Sequence, residues 1–475
     1  MCYEKCNNAE EFINNEEIIK SINFATENKS NEKLINNVIE KAKNLKGLNH
    51  KEALLLLMCD IEEKNSEIFN LAKKIKEEIY GNRIVLFAPL YISNYCTNSC
   101  VYCPYCINNK TTVRKKLTQK EIENEVKAII NMGHKRLALE AGEDYENCSL
   151  DYIMQSIDTI YNTAGKNKNN KIRRINVNIA ATTVENYRKL KEKNIGTYIL
   201  FQETYNKRLY EKFHPTGPKS NYSYHTTAMD RALKAGIDDI GCGVLFGLCD
   251  YKYDFTALLM HKEHLEATFK IGPHTISIPR IKAANEIDLK QFENAVDDRT
   301  FLKIIACFRI AVPYTGIIIS TRESEAIRKE GLNIGVSQIS GGSLTSIGGY
   351  SRNEDEYIKN SAQFETSDKR TLDEIVKWLL KLKYVPSFCT ACYRQQRVGT
   401  KFMNFSKSGE IKNFCTPNAI LSLKEYLEDF ATNITKELGI KLIEEEIKNI
   451  KNELVKNETI KYIKDIENNR RDIFF

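Results

Sequence analysis

No uninterrupted apolar run in this 475-residue chain is long enough to span a bilayer, so no membrane partner is expected. The opening stretch Met1-Cys-Tyr-Glu-Lys-Cys-Asn-Asn-Ala-Glu-Glu11 lacks an apolar core and an arginine-rich amphipathic pattern, which argues against a secretory or transit peptide. A dense block of one charge is missing too. The 70 basic and 63 acidic residues are dispersed and leave a net charge of +7 without interleaved aromatics, so no nucleic-acid partner is indicated. Fourteen cysteines are too few for a disulfide scaffold of this length, and internal repeats and low-complexity linkers are absent. A cytoplasmic protein in a reducing compartment is the expectation.

The cysteines that are present fall in groups. Cys96, Cys100 and Cys103 stand as C-x3-C-x2-C in Tyr91-Ile-Ser-Asn-Tyr-Cys-Thr-Asn-Ser-Cys-Val-Tyr-Cys-Pro-Tyr-Cys106, directly after an apolar stretch from Ile84 to Leu90. Three thiolates on one short loop can hold three irons of a [4Fe-4S] cube and leave the fourth iron open for a ligand. A zinc site is the alternative and would need Cys106 as a fourth ligand, at a spacing less natural than three ligands with Cys106 as a bystander. Cys389, Cys392 and Cys415 form a second trio, C-x2-C-x22-C, again with one corner of a cube unfilled. Zinc is the alternative there as well, but the segment offers no fourth ligand. Most of the remaining cysteines, Cys2, Cys6, Cys59, Cys106, Cys148, Cys242, Cys249 and Cys307, read as small buried hydrophobes.

Between about residues 83 and 383 strand and helix patterns alternate. Strands are expected at Ile84 to Tyr91, Arg136 to Ala141, Ile175 to Ala180, Thr197 to Glu203, Ile240 to Leu248, His274 to Ile281, Gly316 to Ser320 and Gly335 to Ser340. Thr118 with Glu121 forms a capping box ahead of Ile122, Val126, Ile129 and Ile130, and Gly133 ends that helix. Eight such alternations predict an α/β fold, a (βα)8 TIM barrel with its reactive groups at the strand C-terminal ends. The expected organisation is an N-terminal helical extension over 1–80, the barrel over 81–383, and a mostly helical iron-sulfur domain over 384–475. Within the last, Pro386, Gly399, Gly409 and Pro417 interrupt the segment from Tyr384 to Thr432, and Lys436 to Asn469 reads as a solvated helix pair.

A C-x3-C-x2-C loop after a first barrel strand resembles the radical S-adenosylmethionine (SAM) superfamily. The resemblance implies SAM on the open iron and release of a 5'-deoxyadenosyl radical. Ala141-Gly142-Glu143 resembles the Gly-Gly-Glu stretch whose backbone meets the SAM amino group, where a small residue allows close approach of the ligand. Tyr102 takes the aromatic position near adenine, Glu203 that of the ribose acceptor, and Gly241-Cys-Gly-Val-Leu-Phe-Gly247 the adenine-side glycine stretch. His225 or Arg231 would supply a cation for the SAM carboxylate.

With the second trio, Phe201-Gln-Glu-Thr-Tyr205, Gly272-Pro-His-Thr-Ile-Ser-Ile-Pro-Arg280, Ser320-Thr-Arg-Glu323 and the tail Arg471-Asp-Ile-Phe-Phe475, the chain resembles the tyrosine lyases that mature [FeFe]-hydrogenase, the HydG family. That resemblance implies cleavage of L-tyrosine to p-cresol and dehydroglycine. Dehydroglycine would then pass to a second [4Fe-4S] cluster and fragment to carbon monoxide and cyanide, which an additional iron bearing cysteine or a similar amino acid would collect. It implies Arg322 as the clamp on the tyrosine carboxylate and His274 as a ligand of the additional iron. Reduced ferredoxin or flavodoxin would donate electrons, and other hydrogenase maturases would be partners. From their positions, Ser337, Gln338 and Ser340 on the eighth strand and Tyr91 at the end of the first are candidates to line the substrate cavity, Tyr91 being equally readable as a core tyrosine and Arg322 as half of a surface ion pair. Two rivals are the thiamine-pathway tyrosine lyase, which stops at dehydroglycine and lacks the second trio, and a non-catalytic iron-sulfur scaffold, which leaves Glu203 and Arg322 without a purpose.

Overall fold

The computed structural model describes residues 8–283, 287–352, 356–408 and 410–475, and Cys2, Cys6 and Gly409 lie outside them. Eight parallel strands form the centre: β1 (Arg83–Ser93), β2 (Arg136–Ala141), β3 (Arg174–Asn178), β4 (Tyr198–Glu203), β5 (Ile240–Val244), β6 (Thr275–Ser277), β7 (Gly316–Ile319) and β8 (Gln338–Ser340). They pair in chain order, and β1 meets β2 along Ala88–Ser93 and β8 along Val85–Phe87, which closes the barrel. Strands β5 and β6 are shorter than their apolar runs suggest. Pro279 has no N–H for the ladder, so pairing beyond Ser277 continues only as the isolated bridge of Phe246 with Arg280.

Local chemistry sets the helix ends. Thr118 and Glu121 exchange side-chain to backbone bonds at the start of helix Gln119–Met132, and Gly133 ends it at φ +110°. A Cβ on Gly133 would lie 2.5 Å from the Tyr426 ring, so glycine is required there by packing as well as by backbone conformation. Helices Asn15–Asn28, His50–Met58 and Glu62–Tyr80 pack outside the barrel against helices Tyr251–Phe269 and Asp298–Ala311.

After residue 383 the chain first adds a ninth strand, β9 (Val385–Ser387), parallel to Arg83–Val85 at the start of β1. Pro386 fits because this short strand lies at the end of the sheet order, where a missing N–H costs no inner ladder bond. Pro417 does not interrupt the chain as its residue type suggests. It lies inside helix Ile411–Asp429, where Ile411, Cys415, Ala419 and Ile420 are buried, and that packing outweighs the lost backbone bond. Helices Asn433–Lys448 and Glu453–Glu467 form the expected closing pair, but they are not solvated all round: Leu442, Ile443 and Ile466 are buried against the preceding helices.

Candidate active site

At the C-terminal ends of the strands a cavity of about 270 Å3 opens inside the barrel. Strand β1 delivers the first cysteine loop to its wall, and Cys96, Cys100 and Cys103 all line it. Cys106 does not, and Arg114 instead holds its backbone carbonyl at 2.6 Å. Burial pushes the Cys103 thiol up to about 12 and raises Cys100 as well, so both keep their protons unless a cationic partner compensates the thiolate charge. Among the described residues no three His, Cys, Asp or Glu side chains converge as a single-ion site. A cube takes one thiolate per iron, so three thiols on one loop are a donor set that fits such a cluster.

The loop is tied to the end of β2. Thr97 donates its N–H and hydroxyl to the Glu143 carbonyl at 2.8 and 3.0 Å, and Asn98 donates to the Glu143 carboxylate at 2.7 Å. A Cβ on Gly142 would sit 2.3 Å from the Tyr95 carbonyl oxygen. The small residue is therefore required by the packing of the cysteine loop itself. The glycines of β5 tell a similar story: a Cβ on Gly243 would enter the Phe201 ring and one on Gly241 would meet the Thr275 hydroxyl, while Leu245 is the member of that stretch that lines the cavity.

Tyr102, Ala141, Gly142, Glu143, Glu203 and His225 also line this cavity. Glu203 sits at φ +68° where β4 slips register against β5, a strained geometry that a non-glycine residue adopts only when its surroundings impose it. Its carboxylate accepts from Lys219 at 2.8 Å. Burial pulls the Lys219 ammonium down, but Glu203 and the neighbouring Cys100 outweigh it and hold the group above its ordinary value. His225 is the reverse case. Burial and Lys219 drive its imidazole well below the ordinary range, so it is neutral and bonds to the Phe201 carbonyl. Arg231 does not reach the cavity: it donates to the Thr182 and Tyr224 carbonyls and the Thr227 hydroxyl, and stacks over the Tyr224 ring. Helix geometry explains this, since Ala228–Lys234 buries Ala232 and Leu233 and leaves Arg231 on the flank.

Across the cavity, Arg322 stacks its guanidinium on the Phe364 ring at 3.9 Å, and its Nε is buried without a hydrogen-bond partner. Among the described residues the guanidinium's one hydrogen bond is a 3.5 Å contact to the Arg280 carbonyl; the surface ion pair falls instead to other arginines. An under-satisfied guanidinium at the wall of a cavity is a receptor for a carboxylate. Ser340 lines the same wall, and Tyr91, bonded to Gln363 at 2.9 Å, borders it. Glu140, in register with Tyr91 and Asn178, accepts from Asn178 at 2.6 Å, and burial raises its carboxyl well above the usual range.

Ser337 and Gln338 are not in this cavity. They line a second, smaller one of about 50 Å3 at the opposite end of the barrel, with Cys389, Cys392, Cys415, His274, Arg83 and Arg136. The correction follows from strand geometry: inward residues recur every second position and climb about 6.6 Å per pair. So Val85, Arg136, Gly316 and Gln338 face the lower cavity, and Phe87, Ala138, Ile318 and Ser340, two residues on, face the upper. A Cβ on Gly316 would fall 2.3 Å from the Gln338 amide, so Gly316 makes the room in which Gln338 lies. In the lower cavity a hydrogen bond from Cys392 and the charge of Arg83 hold the Cys415 thiol below its ordinary value, against its burial. His274 packs against the Phe402 ring at 4.0 Å.

Sequence reasoning missed Lys219, Glu140 and Arg83. Lys219 lies in the single 3-10 turn Pro218–Ser220, too short for any periodicity to place it. Arg83 carried a usable signal, because it shares the inward parity of Val85, Phe87 and Tyr91. Of the other thiols, Cys59, Cys148, Cys242, Cys249 and Cys307 are buried and free. No described helix is long and apolar enough to cross a membrane.

Residues 90–259 match the model of the radical SAM superfamily, and residues 277–385 that of the biotin and thiamin synthesis associated domain. The 2-iminoacetate synthase of Salmonella typhimurium is 27% identical over 342 residues, covering 72% of this chain and 87% of that protein. The HydG structure from Carboxydothermus hydrogenoformans, an [FeFe]-hydrogenase maturase, superposes with a TM-score of 0.82 at 40% identity, over 96% of this chain and 99% of that one. A second crystal structure of HydG superposes with a TM-score of 0.94 at 53% identity, over 98% of this chain and 100% of that one. The radical SAM match implies one [4Fe-4S] cluster with SAM, which the upper cavity fits. With half its residues identical along nearly its full length to a hydrogenase maturase of known structure, this chain belongs to the HydG family of radical SAM maturases.

Proposed function

We propose that the chain cleaves L-tyrosine to p-cresol and dehydroglycine at the upper cavity. It then converts dehydroglycine to carbon monoxide and cyanide at the lower one, for an iron-carbonyl-cyanide precursor of the [FeFe]-hydrogenase cofactor. The observation that carries this reading is the pair of thiol trios at opposite ends of one barrel, each with a cavity of its own. The matches to the radical SAM and thiamin-associated models end at residue 385, before Cys389, so the lower trio is what separates this reading from a lyase that stops at dehydroglycine.

At the upper site Cys96, Cys100 and Cys103 would hold a [4Fe-4S] cluster, which with SAM would supply the electron and the radical chemistry. The chain's own residues bind and orient. Ala141, Gly142 and Glu143 receive the SAM amino group, Glu203 the ribose hydroxyls and Tyr102 the adenine. With His225 neutral and Arg231 outside, the SAM carboxylate falls to Lys219. Arg322 and Ser340 take the tyrosine carboxylate, and Tyr91 borders the substrate. The enclosing walls exclude water from reactive species. At the lower site Cys389, Cys392 and Cys415 hold the second [4Fe-4S] cluster, and His274 an additional iron carrying cysteine or a similar amino acid. Reduced ferredoxin or flavodoxin, other hydrogenase maturases and a cytoplasmic setting complete the reading.

Anaerobic reconstitution with iron, sulfide, SAM and tyrosine tests it, with deoxyadenosine, p-cresol, carbon monoxide and cyanide measured together. All four are expected. p-Cresol without carbon monoxide and cyanide would favour a 2-iminoacetate synthase, and absence of deoxyadenosine a scaffold. Cys392→Ser and Cys415→Ser should keep most p-cresol formation and abolish carbon monoxide, and equal loss of both would contradict a division of labour.

A further inference from the structure

We propose that Asp239 is a positioning residue for His274, a buried carboxylate that accepts a hydrogen bond from Nδ1–H and turns Nε2 toward the thiol-lined lower cavity. This rests on the reading of His274 as the ligand of an additional iron. Asp239 stands one residue before β5 and His274 one before β6. Their backbones are locked into the barrel ladder: His274 donates to the Ile240 carbonyl at 2.8 Å, and Tyr198 donates to the Asp239 carbonyl at 3.0 Å. The Asp239 side chain is 3% exposed, and both of its oxygens are buried without a hydrogen-bond partner among the described residues. A carboxylate so enclosed is unfavourable unless something compensates it, and an orphan of this kind calls for an explanation.

The one ion-pair contact of Asp239 within 4.0 Å among the described residues is His274 Nδ1, at 3.7 Å. That is too long for a hydrogen bond and short enough for a modest rotation of either side chain to make one. The imidazole plane is already set, with the Phe402 ring 4.0 Å away on one contact and the Tyr393 ring 5.9 Å away on another. Of the cations near His274, Arg83, Arg136 and Arg174, the last feels the charge of Asp239 but stacks on Tyr393 at 3.6 Å, and none forms an ion pair with Asp239 within 4.0 Å among the described residues. A metal-bound histidine characteristically gives its second N–H to a carboxylate, which fixes the tautomer and raises the basicity of the ligating nitrogen. Asp239 stands where that partner belongs.

The test is titration of the anaerobically reconstituted full chain with iron(II), reading iron per chain beyond the two cubes, for wild type, Asp239→Ala, Asp239→Asn and His274→Ala. Asp239→Ala is expected to weaken binding of the added iron about 10- to 100-fold while the two cubes and p-cresol formation remain. Asp239→Asn, which keeps an acceptor oxygen in the same shape, should lose less, and its affinity decides the question if the alanine variant does not fold. Wild-type affinity in both Asp239 variants, with the site lost in His274→Ala, would overturn the inference alone. Wild-type affinity in His274→Ala would overturn the reading of His274 and this inference with it.

Discussion

Arg322 owes its value to what it does not touch. Stacked on Phe364 with its Nε unpartnered, it keeps most of its donor capacity for a ligand. Arg322→Lys keeps the charge but loses the fork, and a lost charge-assisted hydrogen bond costs about 1.5–3 kcal/mol, roughly 10- to 100-fold in kcat/KM for tyrosine. Product-time courses at varied tyrosine would read this, and unchanged kcat/KM would remove Arg322 from the substrate site. Lys76 is a different kind of residue, fully buried with its ammonium 4.2 Å from the centre of the Tyr384 ring and its pKa lowered by burial to about 7. The unfolded chain, with a lysine near 10.5, binds the extra proton between these values, so stability should fall as pH drops from about 10.5 to about 7 and level off below. Lys76→Met should flatten that dependence in denaturant titrations at about pH 7 and about pH 10; an unchanged pH dependence would show that Lys76 is not its source.

At the level of elements, the constraint on Gly142 is the clearest. Its missing Cβ is the space taken by the Tyr95 carbonyl, one residue before Cys96. Gly142→Ala should therefore push the cysteine loop off β2 and lower both iron at the first site and deoxyadenosine formation, with the lower site's iron retained. Full iron at both sites would refute the coupling. The same scale explains what could and could not be read from the amino-acid order. The eight barrel strands announce themselves as apolar runs before loops, and the capping box at Thr118 marks its helix by local chemistry alone. Strand β9 is three residues long and contains a proline, so nothing local distinguishes it from a loop, and only its pairing with Arg83–Val85 makes it a strand. Ser337 and Gln338 were assignable to a strand but not to a depth within the barrel, because depth depends on the stagger of neighbouring strands. Both cysteine trios were legible from spacing, whereas Lys219 and Asp239 acquire their meaning only from partners distant in the chain.

For the whole molecule, the consequence lies in strand β1. Its eleven residues begin at the lower cavity with Arg83 and end at the loop that carries Cys96, so a single continuous wall runs past both cavities. The two linings are offset by only one inward step, from Val85 to Phe87 and from Gln338 to Ser340. On the proposed two-site reading, a small fragment released above would meet the thiols below at an effective concentration on the order of millimolar or more, set by enclosure rather than by how much enzyme is in solution. Yield per turnover should then be independent of dilution, as for a reaction within one molecule, and a weak intrinsic affinity of the second site for its substrate would be sufficient.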